Sequence, residues 1–258
     1  MIPDLRCFTL PSGRIEHFWS GPPPDPTGEN PTLVFLHVGL GCAVQWRDFP
    51  ATIAERTGLG ALVYSRLGYG GSDPVSLPRP LSYMHDEARE ELPRLLDVAG
   101  IRSAILVGHS DGGSIALIHA ATSKGRVKKV VTLAPHVFVE DVSVTSIAEA
   151  KRAYEQGDLR ARLAKYHANA DVAFWGWNRA WLDPAFRSWN LEGFLPSIEV
   201  PVMVLQGEED PYGTRAQVDA IAKGVSGPVE TMLIPKCGHS PQRDQASFTA
   251  EAIVRFVR

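Results

Sequence analysis

Ser110 stands in the run Gly108-His109-Ser110-Asp111-Gly112, directly after an apolar segment and at the start of one with helical period. A serine hydroxyl is a weak nucleophile at neutral pH. It needs a general base beside it, itself oriented by a carboxylate. At a strand-to-helix turn such a serine leaves no room for Cβ atoms two residues to either side, a need that Gly108 and Gly112 meet. The helix opening there aims its free amides and the positive end of its dipole at the same point. These residue types in this pattern point to acyl transfer through a covalent intermediate.

In such an architecture the acid and the base follow the serine in that order, each after a later strand. The turn Gly207-Glu208-Glu209-Asp210-Pro211 offers three acids, of which Asp210 is expected to reach the pocket. Glu208 and Glu209 read as solvated loop charges, with Glu140 and Asp141 as reserve candidates. The turn Pro235-Lys236-Cys237-Gly238-His239-Ser240-Pro241 presents His239 as the general base. Of the other seven histidines, His136 also follows a strand and is expected at a pocket wall, whereas His109 is expected to pack. The tetrahedral oxyanion needs two donors. One is expected from the Asp111 amide, the other from Gly39 in His37-Val38-Gly39-Leu40-Gly41, with Leu40 as the alternative. No His/Cys/Asp/Glu spacing suits a metal, so none is expected.

The elements that must position these groups are short. Phe8–Leu10 and Ile15–Trp19 read as a hairpin. Leu33–His37, Ala61–Tyr64, Ala104–Val107, Val127–Leu133, Val202–Gln206 and Met232–Ile234 are apolar runs that suit strands covered on both faces. Helical period recurs over Trp46–Arg56, Ser82–Val98, Gly113–Thr122, Ile147–Gln156, Leu159–Ala168, Thr214–Lys223 and Gln245–Val257. The alternation predicts a doubly wound α/β sheet with helices on both faces. It breaks once: residues 141–198 carry no strand-like run and read as a small helical insertion in a core made of 1–140 and 199–258.

Composition narrows the class further. The chain has 258 residues and a formal charge of −3, without the basic footprint that nucleic acid demands. Its apolar runs are far shorter than a membrane span. No leader pattern precedes the hairpin, and three scattered cysteines, Cys7, Cys42 and Cys237, suit reduced thiols in the cytoplasm.

Taken together, the segments HVGLG, SRLGYGGSDP, GHSDGG, GEEDP and CGHSP resemble the α/β-hydrolase superfamily over nearly the whole chain. The chain resembles in particular its small serine esterases, meta-cleavage-product hydrolases and enol-lactonases. The resemblance implies an eight-stranded, mostly parallel sheet, a cap between the sixth and seventh strands, and a Ser110–Asp210–His239 triad without cofactor. Two residues depart from the family pattern: Val38 where Gly is frequent, and Asp111 where Met, Leu or Gln is. Relatives that dehalogenate haloalkanes or open epoxides carry Asp at the elbow, so Ser110 argues against those reactions. The cap holds Phe174, Trp175, Trp177, Trp181, Phe186, Trp189 and Phe194. Trp175, Trp177 and Trp181 are the expected substrate contacts, and Arg179 and Arg187 are candidate partners for a substrate carboxylate. The expected activity is hydrolysis of a small ester or lactone. The alternatives are C–C bond hydrolysis, perhydrolysis, or ligand reception without catalysis.

Overall fold

The computed structural model describes residues 4–123 and 125–258. One eight-stranded sheet runs through the molecule in the order β1-β2-β4-β3-β5-β6-β7-β8. Strands β1 (Arg6–Leu10) and β2 (Gly13–Ser20) form the N-terminal hairpin, and β2 pairs antiparallel with β4 (Ala61–Tyr64). Every other pairing is parallel: β3 (Thr32–Leu36) lies between β4 and β5 (Ala104–His109), followed by β6 (Val127–Leu133), β7 (Val202–Gly207) and β8 (Val229–Ile234).

Parallel strands need crossover helices on both faces, and the side chains alternate accordingly. Val34, Leu36, Leu106 and Val204 join one buried layer, whereas Leu33, Phe35, Ile105, Val107, Met203 and Leu205 join the other. The second layer is closed by α1 (Phe49–Thr57) and by the C-terminal helix, whose Ile253 is fully buried. On the first face sit α2 (Tyr83–Asp86), one wider i→i+5 turn over Glu87–Glu91, α3 (Leu92–Val98) and α4 (Asp111–Thr122). Between β6 and β7 come α5 (Asp141–Gln156), α6 (Leu159–Leu163) and α7 (Ala170–Leu182). The chain closes with α8 (Arg215–Gly224), α9 (Pro241–Asp244) and α10 (Ala246–Val257). Among the described residues no helix is long and apolar enough to cross a membrane.

Several boundaries differ from the sequence expectation. The helix expected from Trp46 starts at Phe49, because residues 43–46 wind into a 3₁₀ turn and Arg47 adopts φ 55°. The helix expected to reach Ala168 stops at Leu163, and the chain turns so that His167 Nδ1 accepts the Gly70 amide of the core. The aromatic stretch, to which periodicity assigns nothing, is the regular helix α7, started by Asn169, whose side chain accepts the Val172 N–H. Strand β8 begins at Val229 rather than Met232. It is the outer strand, and its half-exposed residues lack the continuous apolar signature of the buried ones.

Candidate active site

Strand β5 and helix α4 meet at Ser110, whose backbone sits at φ 54°, ψ −118°, a region that L-residues rarely occupy. The glycines around it are obligatory for contact reasons. A Cβ on Gly108 would collide with the backbone of Gly112, and one on Gly112 with the Leu36 carbonyl. The Asp111 amide opens α4 and has no intrahelical acceptor. The Ser110 side chain therefore projects from the C-terminal edge of the sheet above a helix N-terminus.

Two later strand ends bring up the other groups. β7 ends at Gly207, where any Cβ would strike the carbonyls of Cys237 and Gly238, so the turns after β7 and β8 lie against each other. Across that contact His239 Nδ1 donates to Asp210, 2.8 Å to Oδ2 and 2.9 Å to Oδ1. The Asp210 side chain is completely buried, and that of His239 is 13% exposed. Gln206 Nε2 (2.6 Å) and the Tyr212 amide (2.8 Å) also donate to this carboxylate. Burial alone would raise the Asp210 carboxyl. The hydrogen bond and charge of His239, with the Tyr212 amide, outweigh it and hold the group below its ordinary value. With Nδ1 so engaged, Nε2 of His239 is left for the cavity that Ser110 also lines.

That cavity has a volume of about 120 Å³. Its walls include Val38, Leu40, Ile147, Trp177, Trp181 and Tyr212, with Asp111 and His136 beside Ser110 and His239. Of the three tryptophans singled out in the sequence, Trp177 and Trp181 line this cavity. The expectation for Trp175 is corrected: its ring packs at an edge against Tyr154 and under Arg179, outside the Ser110 cavity, because one turn of α7 can present only one side to that cavity. Arg179 is exposed there, and Arg187 is paired with Asp141, so neither reaches the cavity. Glu140 is engaged by Thr214 and Gln217, and Glu208 and Glu209 are exposed.

Gly39 lies under the indole of Trp177, which occupies the place a Cβ would take. The loop around it is pinned by His37, whose Nδ1 donates to the Val38 carbonyl (2.7 Å) while Nε2 accepts the Arg66 amide (3.0 Å). Among the described residues neither the Gly39 nor the Leu40 amide has a hydrogen-bond acceptor.

Several contributors lay outside the sequence reading. His109 does more than pack: its Nε2 donates to the His239 carbonyl (2.6 Å) and its Nδ1 accepts from Gln242 (2.9 Å). Burial, then the charge of His239, depress His109 to about 3, and His136 is likewise pushed down to about 3 by burial, so both are neutral rings. Tyr83 donates to Asp111 Oδ2 (2.6 Å) and accepts from Trp181 Nε1 (3.0 Å), a chain joining α2, α4 and α7. Asp111 is buried, with Oδ1 unpartnered. Desolvation raises its carboxyl against the pull of Arg66. The one sequence hint for such helpers is a polar residue closing an apolar strand, as Gln206 does.

Comparison with known proteins agrees with this architecture. Residues 33–252 match the alpha/beta hydrolase family. Epoxide hydrolase 3 of Xenopus tropicalis is 24% identical over 89% of this chain and 72% of its own length. Serine hydrolase BPHL of Homo sapiens is 27% identical over 67% of this chain, which spans 60% of that protein. Among solved structures, a serine hydrolase from the bacterium Cycloclasticus zankles superposes with a TM-score of 0.77 at 17% identity, covering 98% of this chain and 97% of the other. A match running from the first parallel strand into the last helix, on a sheet of this order, leaves one assignment: the chain belongs to the alpha/beta hydrolase family.

Proposed function

We propose that the chain is a serine hydrolase that cleaves small carboxylic esters or lactones through an acyl-enzyme on Ser110. The observation that carries this reading is a single cavity lined by Ser110, on its strained turn, and by His239, whose other nitrogen is bound to a buried Asp210. His239 Nε2 removes the Ser110 proton as Oγ attacks the carbonyl carbon, and the amides of Gly39 and Asp111 hold the oxyanion. The same imidazole then returns the proton to the departing alcohol, and water repeats the sequence on the acyl-enzyme. Asp210 keeps Nδ1 protonated and stabilises the imidazolium. The donors Gln206 and Tyr212 orient that carboxylate.

In this reading residues 141–198 act as a cap. Ile147, Trp177 and Trp181 close an apolar space that suits a short acyl group. A fluorophosphonate probe should label the wild-type protein and leave Ser110→Ala unlabelled. p-Nitrophenyl esters should be cleaved best at short acyl lengths. A folded wild type that is not labelled would sink the reading. Faster turnover of a dienone acid than of any ester or lactone would move it to C–C hydrolysis.

A further inference from the structure

Beside the Ser110 cavity lies a larger hollow of about 450 Å³, and Val38 and Leu40 are walls of both. It also touches Ser240, the residue after His239, and His109, which holds the His239 carbonyl. The hollow is therefore separated from the imidazole by the His109 ring, whose centroid lies 5.2 Å from that of His239. Three arginines line it: Arg47 ahead of α1, Arg162 on α6 and Arg243 on α9. Among the described residues no Asp or Glu lines it. Arg47 and Arg243 form no ion pair among the described residues, and Arg162 has a single exposed one, 3.2 Å to Asp158, of a kind worth little in water. In a chain of formal charge −3, three guanidiniums around one acid-free hollow reverse the local field. Arg47 and Arg243 also line the next groove, toward α10, which adds Arg56 but includes Asp48 and Asp244, so of the two hollows only the one beside Leu40 has no acid in its wall.

The direction of acyl transfer says what sits there. The imidazole hands its proton to the leaving oxygen, so the leaving group lies on the His239 side while the acyl group fills the space under Trp177 and Trp181. Resting on the acyl-transfer reading above, we propose that this hollow binds the leaving-group end of the substrate and that this end carries an anionic oxyacid, best a phosphate. The substrate class is thus a short-chain acyl ester of a phosphorylated alcohol. The acyl C–O bond breaks, the proton goes to the alcohol oxygen, and the phosphate stays on the released alcohol. Guanidinium groups bind such oxyanions through paired N–H donors.

The test compares phenyl butyrate with its 4-phosphooxy and 4-carboxymethyl derivatives at low ionic strength. Wild type should favour the phosphate ester in kcat/KM over the neutral one by about tenfold, as three partly exposed charge pairs would give. That ratio should fall toward one in an Arg47→Ala/Arg162→Ala/Arg243→Ala variant and in high salt. Titration calorimetry of 4-hydroxyphenyl phosphate on Ser110→Ala reads the hollow without turnover, and binding should weaken about tenfold when the three arginines are also removed. No preference for the phosphate ester, an arginine-independent preference, or a stronger preference for the carboxylate overturns the assignment. Arginine-dependent phosphate binding by a protein that cleaves no ester would support the anion site while removing the acyl-transfer reading.

Discussion

Asp210 and Glu209 are neighbours with opposite fates. One carboxylate is sealed against His239 and takes further donors from Gln206 and the Tyr212 amide; the other is exposed. Replacing the buried carboxylate by an amide would leave the size unchanged but let His239 adopt the wrong tautomer. Asp210→Asn is expected to lower kcat by about 10⁴-fold, the scale of such a change in comparable triads. Glu209→Gln should change it less than about twofold, since an exposed charge contributes little. Steady-state kinetics on one ester decide the matter, and a larger loss from Glu209→Gln would transfer the role.

At the scale of elements, the loop after β3 and helix α7 meet where Gly39 lies under Trp177. The contact couples the proposed oxyanion donor to a wall of the Ser110 cavity, so a shift of one presses on the other. In Gly39→Ala the indole must move toward Ser110 or the loop must retreat. Either displacement is near 1 Å, and kcat should fall about a hundredfold. Gly39→Ala combined with Trp177→Phe, which removes part of the indole, should recover a share of that loss. Equal activity of Gly39→Ala and wild type in the same assay would show that the loop does not position the reacting group.

Across the whole molecule, burial of imidazoles sets the acid response. His109 and His136 ionise at about 3 in the fold against about 6.5 when unfolded, and His37 is also held well below its ordinary value by burial. Between those limits the unfolded chain binds more protons than the native one, so stability rises with pH through this window and is lost as acid is added below about 6.5. Asp111 and Glu87, raised by burial, act in the opposite sense. The melting temperature should therefore fall on going from pH 6.5 to pH 5, and the slope should be shallower in His136→Asn. An unaltered slope in that variant would show that His136 accepts a proton in the folded state.

The turn chemistry of Ser110, Asp210 and His239 and the strand–helix alternation were legible in the sequence because each rests on local constraints. Glycine goes where a Cβ cannot fit, and apolar runs fill strands that are covered on both faces. The side of α7 that meets the cavity was not legible. Trp175 and Trp177 are two residues apart in an aromatic helix, and only tertiary packing turns one toward the cavity and the other away from it. The same holds for His109, Tyr83 and the arginine-lined hollow. Their partners lie 28 to 133 residues away along the chain for the first two, and on three separate segments for the last. Spacing along the chain reports what a residue's immediate neighbours require. Which distant side chains share a pocket, and with what net charge, is settled only when the layers close.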